Sequence, residues 1–126
     1  MEDLPVDNLT GNRPKWRDLR EWLALVEAAG ELATIEDATS EKDIGGITEM
    51  FEHNEGSPAA LFEKIPGFAP NYRVLSNAMG TPARQAITFG LPEEYGTHDG
   101  LLAFWRAKMR DFAKIPPVVV EDGPVR

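Results

Sequence analysis

Apolar residues recur at helical spacing between residues 14 and 30, in the stretch PKWRDLREWLALVEAAG. One face of the predicted helix collects five of them: Trp16, Leu19, Trp22, Leu23 and Val26. This periodicity is typical of an amphipathic helix. Pro14 suits its first turn, and Gly30 suits the position just past its end. The two tryptophans are predicted to be core residues, with an interface role as the alternative.

A second helix is predicted to begin at Ser40, which can cap it with Asp43 three positions further on. Its apolar face consists of Ile44, Ile47 and Phe51. The pair Gly45-Gly46 weakens the first turns by about 1 kcal/mol per glycine relative to alanine. The same pair could instead permit close packing against a sheet. It is no dinucleotide fingerprint, because the spacing G-x-G-x-x-G is absent.

Three short stretches read as strands: ELATIE at 31–36, SPAALFEKI at 57–65 and YRVLSN at 72–77. Turn residues fill the gap between the last two, in the order Pro-Gly and then Pro-Asn. A fourth strand candidate is the valine run at 118–120. An apolar strand followed by a Gly-Pro turn suggests entry into more structure, so we expect a longer protein to continue beyond this point.

Two further helices are predicted. The stretch TPARQAITFG has Thr81 as its cap, Pro82 in its first turn and Gly90 at its end. The helix at 99–114 is stopped by the prolines at 116–117. Its predicted apolar face is Leu101, Leu102, Trp105, Met109 and Phe112.

The predicted order is therefore α-β-α-β-β-α-α-β. It indicates an α/β (α+β) single domain, with a small sheet of three to four short strands packed with four helices. We expect a flexible arm at 1–13, the α/β domain at 14–115, and a strand and linker at 116–126.

Composition limits the classes of protein to which the chain can belong. At 126 residues, with 42% hydrophobic and 27% charged residues, the chain suits one globular core. No apolar run approaches the roughly 18 residues of a spanning helix, and the acidic N-terminus lacks a signal-peptide pattern. With no cysteine, disulfides and thiolate sites are excluded. A cytoplasmic location and no membrane partner are expected.

The charge is unevenly distributed. The net charge is −8, which makes nucleic acid an unexpected partner because phosphate contacts need clustered Lys and Arg. Between Glu31 and Glu63 there are nine acidic residues and a single base, Lys42. This run is interpreted as a solvated acidic face, with a docking surface for a basic partner domain as the alternative. The helix at 99–114 is instead rich in bases, with four against two acidic residues.

Candidate chemistry is sparse. His53 lies in the sequence EHNE, but adjacent residues on a helix point to different sides, and His98 is 45 residues away. No serine lies in a G-x-S-x-G elbow. Carboxylates are so abundant that no acid–base pair stands out. Catalytic, cofactor-binding and metal-binding residues are all predicted to be none.

The best anion-site candidate is the turn Gly80-Thr81-Pro82-Ala83-Arg84. The free N–H groups of a first helical turn can bind an anion, and Arg84 can add donors. Pro82 removes one of those N–H groups, and no glycine-rich loop or Walker lysine accompanies it. Thr81 followed by Pro82 is also the pattern of a plain helix cap, which is the favoured interpretation.

The order of five segments resembles the N-terminal region of UbiD-type decarboxylases. They are DLREWLALVEAAGELATIE, IGGITEM, SPAALFEKIPGF, RVLSNAMGTPARQAITFGL and IPPVVVEDGPV. The family has a helix leading through Gly-Glu-Leu into a strand, then a strand like residues 57–63. A Leu-x-Asn-x-x-Gly-[Ser/Thr] stretch follows before a short Ala-rich helix, here residues 75–86. The resemblance covers roughly residues 16 to 125.

The resemblance implies a reversible decarboxylase of aromatic or α,β-unsaturated acids that uses prenylated flavin mononucleotide with a divalent metal and potassium. It also implies that the metal-binding Asn, His and Glu and the catalytic Arg-Glu-Glu/Asp set lie after this region, in a central cofactor domain. No position here matches them, so Glu52, His53 and Arg84 are not assigned those roles.

We therefore expect a structural domain, present as a fragment, a split subunit or a free-standing relative. Its expected partners are the central and C-terminal domains of the decarboxylase, in cis or in trans, with a homo-oligomer also possible. It would pack on the cofactor domain through apolar helix faces and the Val118–Val120 strand. The alternative is a non-enzymatic protein-interaction domain.

Overall fold

The computed structural model of the chain describes residues 13–110, 112–121 and 123. The helices are α1 (Leu19–Ala28), α2 (Asp43–Glu52), α3 (Pro82–Phe89) and α4 (His98–Arg110), with a 3-10 turn at Glu93–Tyr95. The strands are β1 (Leu32–Glu36), β2 (Ala59–Glu63) and β3 (Val74–Ser76). The predicted α+β class with a small sheet and four helices is confirmed. Most of the predicted arm, residues 1–12, lies outside the described residues, as do 111, 122 and 124–126.

The three strands form one sheet in the order β1-β2-β3. β1 runs parallel to β2, with Leu32 opposite Ala59, and α2 makes the crossover between them. β3 returns antiparallel to β2, with Leu75 opposite Leu61. The connection at 64–73, which contains the Pro-Gly and Pro-Asn turns and no helix, fits this antiparallel return, since only a parallel pair needs a crossover.

The sheet is covered on both faces, and β2 lies at its centre. Ala59 and Leu61 face α1 and α3, where they pack against Trp22, Leu23 and Val26. The alternate residues Ala60 and Phe62 face α2 and pack with its predicted apolar residues: Ile44, Ile47 and Phe51. A strand buried on both sides reads as a continuous apolar run, which explains the sequence AALF.

A separate cluster lies beside the sheet and joins α3, the 3-10 turn and α4. Its buried members are Ala86, Leu91, Tyr95, Leu101 and Phe104. Phe89 packs against this cluster, with its ring 6.4 Å from that of Phe104. α3 also packs on the sheet through Ile87, so it connects the 3-10 turn and α4 to the sheet.

Two local predictions for α1 and α2 are wrong, and one alternative is not supported. α1 begins at Leu19 rather than near Pro14, because Asp18 caps it by accepting from the N–H groups of the first turn. Ser40 does not cap α2: Lys42 holds the cap position without a side-chain hydrogen bond, and it is Thr39 whose N–H and hydroxyl both donate to the Asp43 carboxylate. The glycine pair serves no close packing, because a Cβ on Gly45 or Gly46 would meet nothing within 4 Å.

Two predictions for the C-terminal part are also wrong. Val118–Val120 forms no strand in the described chain, because no neighbouring strand pairs with it, and its side chains are 66–91% exposed. The buried face of α4 includes Leu101 and Phe104. The rest of the predicted face is exposed, namely Leu102, Trp105, Met109 and Phe112, and the last of these lies beyond the end of the helix. The reason is that the aromatic cluster around Tyr95 lies on the Leu101 side.

Candidate functional site

The start of α3 is the anion-site candidate, and the turn before it is tightly built. Asn77 has a φ of 52°, and its Nδ2 donates to the carbonyls of Ser57 (3.4 Å) and Pro58 (3.0 Å). A Cβ on Gly80 would collide with the Asn77 side-chain oxygen and lie 2.8 Å from Arg84 Nη2. Position 80 therefore needs glycine so that the turn can close on the segment that enters β2.

Thr81 caps α3 as predicted. Its backbone is extended, and its Oγ1 accepts from the Arg84 N–H at 3.3 Å. Pro82 takes the first turn, and Gly90 ends the helix in a left-handed conformation. The Thr81 hydroxyl has a second partner, because it donates to Glu31 Oε2 at 2.8 Å. The cap interpretation of the turn is confirmed, and the capping hydroxyl also binds a carboxylate.

Arg84 is fully buried, and all three of its side-chain nitrogens donate to protein oxygens. Nη1 donates to Glu31 Oε2 at 2.5 Å, Nη2 to the Ser57 carbonyl at 3.0 Å and Nε to the Ala78 carbonyl at 3.2 Å. Burial lowers the pKa of Arg84, and the charge of Glu31 opposes that shift. The guanidinium thus links three separate segments at one point.

The end of α1 places Glu31. The Gly30 N–H donates to the Glu27 carbonyl and the Glu31 N–H donates to the Val26 carbonyl, while Gly30 has a φ of 72°. These two bonds define a Schellman motif, which turns the chain sharply out of the helix. The Glu31 carbonyl then accepts from the Ala59 N–H at 2.8 Å. Glu31 is therefore fixed by its backbone on one side and by its carboxylate on the other.

The anion at the start of α3 is thus a carboxylate of the chain itself. Glu31 Oε2 accepts both from the capping hydroxyl and from the guanidinium of the first turn. A carboxylate at this end of a helix is favoured by the helix dipole. Among the donors that the sequence offered for a phosphate, those of Arg84 and Thr81 are used internally.

A groove of about 720 Å³ lies beside this cluster, between α1, α3 and the 3-10 turn. Its charged groups are Lys15, Glu31 and Glu93, and small or aliphatic side chains such as Leu25 and Ile87 form most of the rest. No histidine, serine or threonine belongs to the described residues that line it. The described lining of the groove therefore offers contact surface and charged groups, but no imidazole or hydroxyl side chain.

The histidines do not converge with other ligands. His53 Nδ1 lies 2.9 Å from the Glu49 carbonyl at the exposed end of α2, and His98 opens α4. Within the described ranges, no group of three or more His, Cys, Asp or Glu residues is placed to hold a metal ion. Within the same ranges, no helix is both long and apolar enough to cross a bilayer.

The sequence indicated Arg84 but missed Glu31, which counted only as one acidic residue among nine. One signal could have singled out Glu31: it directly follows Gly30, the glycine that ends α1, so it lies at the turn between this helix and β1. The partner lies 53 residues further on. Only the order of strands in the sheet brings the two together.

Residues 23–99 match the family model described as the 3-octaprenyl-4-hydroxybenzoate carboxy-lyase N-terminal domain. The matched range runs from the middle of α1 to the first turn of α4, so it contains Glu31 and the whole α3 turn.

Two curated proteins are similar over 86% of this chain. The phenolic acid decarboxylase of Bacillus subtilis is 31% identical over 111 residues, and the pyrrole-2-carboxylic acid decarboxylase of Pseudomonas aeruginosa is 33% identical over 117 residues. The chain spans 23% of the length of each.

Solved structures agree with these relatives. The vanillic acid decarboxylase of Sedimentibacter hydroxybenzoicus in its open form matches with a TM-score of 0.63 and 31% identity, over 83% of this chain and 22% of that chain. A second open-form structure of the same enzyme, with one truncated component, gives a TM-score of 0.63 and 28% identity, over 76% of this chain and 21% of that chain.

Proposed function

The chain belongs to the family of UbiD-type carboxy-lyase N-terminal domains, and on that basis we propose that it is a structural domain of a decarboxylase. The complete enzyme would reversibly decarboxylate aromatic or α,β-unsaturated carboxylic acids. The observation that carries this proposal is the family match over residues 23–99, joined to relatives that are decarboxylases about four times as long.

The proposal places the chemistry in the part of the enzyme outside this chain. Support comes from how the polar groups here are used. Arg84 donates to three protein oxygens, and Glu31 accepts from Thr81 as well as from Arg84. A catalytic acid or base must reach a substrate, and a group this deeply engaged inside the fold is better suited to hold elements together.

Prenylated flavin mononucleotide, with a divalent metal and potassium, is the cofactor we propose for the complete enzyme. The residues at the start of α3 do not fit its phosphate. The place of an external anion is taken by the Glu31 carboxylate, and the Arg84 side chain is buried. We therefore assign the cofactor to the other domains and derive no step through it here.

The partners that follow are the remaining domains of the decarboxylase, in cis or in trans. The relatives contain about three quarters of their length outside the matched region, which supports this part of the proposal. A homo-oligomer and a cytoplasmic location complete the proposal, and the cysteine-free sequence is compatible with that compartment.

Titration of the purified chain with prenylated flavin mononucleotide tests whether the cofactor site lies in the other domains. We expect no saturable binding, and no carbon dioxide release from cinnamate-like or hydroxybenzoate-like acids. A tight, stoichiometric flavin complex would overturn the assignment of the cofactor site to other domains. Turnover by the isolated chain would overturn the structural role itself.

A further inference from the structure

α4 has two apolar faces, and only one of them is used inside the described fold. Leu101 and Phe104 are 7% exposed and belong to the cluster around the 3-10 turn. On the other side Leu102, Trp105 and Met109 are 48%, 41% and 68% exposed. These three residues, spaced at i, i+3 and i+7, lie on one side of the helix and are called the α4 stripe.

The centre of the α4 stripe is already ordered. The Trp105 ring contacts Phe89 edge-on with centroids 5.1 Å apart, and it contacts Phe104 at 5.0 Å. An aromatic side chain that is fixed before association loses little conformational freedom on binding. Ordered, half-exposed tryptophans are typical anchors of protein interfaces.

The α4 stripe has positive charge along one edge. Arg106 and Arg110 follow Trp105 and Met109 by one residue each, and both are exposed. None of the ion pairs between described residues includes either arginine. Elsewhere the chain is acidic, with a net charge of −8. A partner for this edge would therefore carry carboxylates beside an apolar surface.

The position of α4 in the family indicates which partner this is. The N-terminal family model ends at residue 99, one residue after α4 begins, and the relatives are about four times as long as the matched region. α4 thus lies where the N-terminal domain passes into the rest of a family chain. Its second apolar face is available at that junction.

We propose that the α4 stripe docks on the remaining part of the UbiD-type decarboxylase, in an apolar groove with an acidic rim. This inference rests on the proposed function, because the partner is the enzyme that the family match implies. Trp105 is the anchor, Leu102 and Met109 flank it, and Arg106 and Arg110 pair with rim carboxylates.

The test uses a chimera in which this whole chain replaces the matching segment of the Bacillus subtilis phenolic acid decarboxylase. The host cells must make prenylated flavin mononucleotide. Hydrogen–deuterium exchange is measured in residues 98–110 of the chimera and of the free chain. We expect about tenfold slower exchange in the chimera, and no change in α2.

Two double variants make the result specific to the α4 stripe. L102S/M109S leaves the ordered Trp105 in place and removes the flanking apolar contacts. M50S/F68S is the matched control, because Met50 and Phe68 are 69% and 56% exposed elsewhere on the chain. We expect the first variant to return exchange to within about twofold of the free chain and the control to retain the slow exchange. Exchange in β2 reports that each variant is folded.

The charged edge has its own measurement. R106E/R110E should also speed the exchange of residues 98–110 in the chimera, and added salt should do the same to the unmodified chimera. An unchanged exchange rate in this variant would contradict the acidic rim.

Decarboxylation by the chimera separates the inference from the proposed function. Unchanged exchange in an active chimera would overturn the docking surface and leave the function standing. Slow exchange in a folded but inactive chimera would support docking and count against the function. If residues 98–110 still exchange slowly in the L102S/M109S chimera, the contact lies elsewhere and the inference is overturned. Concentration-dependent protection in the free chain would do the same, because a second copy would then be the occupant.

Discussion

Glu31 and Arg84 form a buried ion pair that joins the end of α1 to the first turn of α3. The guanidinium is inaccessible to solvent, whereas the carboxylate side chain is 24% exposed. Glu31 also accepts from the Thr81 hydroxyl, and Arg84 also donates to the Ser57 and Ala78 carbonyls. One ion pair therefore connects a helix end, a strand entry and a helix cap.

Arg84→Met should destabilise the chain by about 2–4 kcal/mol, because it removes the charged donor of a partly buried carboxylate and one donor to each of the Ser57 and Ala78 carbonyls. Arg84→Lys should lose less, about 1–2 kcal/mol, since one ammonium cannot serve three separated acceptors. Urea denaturation measures both. Arg20→Met, at an exposed arginine of α1, is the matched control and should change stability by less than about 0.5 kcal/mol. Equal stabilities of Arg84→Met and Arg20→Met would contradict the role of the ion pair.

Replacing glycine by alanine should change stability in opposite directions at two places in the chain. Gly80→Ala should destabilise by about 1–3 kcal/mol, because the new methyl collides with Asn77 and crowds Arg84. Gly45→Ala and Gly46→Ala should each stabilise by about 0.5–1 kcal/mol, since both positions are helical and meet open space. Thermal denaturation of the three variants checks the signs. Stabilisation by Gly80→Ala would show that the turn is not closely packed.

The stability of the fold around the Trp22 indole should depend on the Thr88 hydroxyl. Its Nε1 donates to Thr88 Oγ1 at 2.9 Å, and the Trp22 side chain is 4% exposed. Thr88→Val keeps the shape but leaves the indole N–H unpaired, which should lower the free energy of unfolding by about 1–3 kcal/mol. Thr34→Val, at an exposed position of β1, is the control and should be nearly neutral. Equal free energies of unfolding for the two variants would contradict this dependence.

Acid should weaken the start of α2 through Asp43. The side chain and backbone N–H of Thr39 donate to this carboxylate and hold its pKa below the ordinary value. A lowered folded-state pKa contributes stability above the ordinary value of about 3.9, and that stability is lost as pH falls through the lowered value. Asp43→Asn should therefore show a shallower loss of stability below about pH 4. Identical stability profiles of the variant and the parent chain between neutral and acidic pH would contradict this role.

The sequence predicted those features that depend on neighbouring residues. Thr81, Pro82 and Gly90 mark both ends of α3, and the apolar spacing around Trp22 marks α1. These signals work because caps and periodicity act within a few residues. The prediction fails where neighbouring residues offer the same group, as before α2, where the hydroxyl that bonds to Asp43 belongs to Thr39 and not to Ser40.

Features that depend on distant contacts could not be predicted in the same way. The sequence offers Arg84 only as a candidate anion donor beside the favoured cap interpretation. The anion that Arg84 binds is Glu31, and only the folded sheet brings the two residues together. α4 has apolar residues on two sides, so its periodicity could not tell Leu101 from Leu102 as the buried one. The position of Tyr95 decides this, and it is set by the 3-10 turn.

The central claim is that this chain supplies structure to a decarboxylase whose chemistry lies in its other domains. Carbon dioxide release from a phenolic acid, measured side by side for the isolated chain and for the chimera with the Bacillus subtilis enzyme, tests it most directly. The account predicts release by the folded chimera and none by the isolated chain. Release by the isolated chain, or a folded chimera without activity, would contradict it.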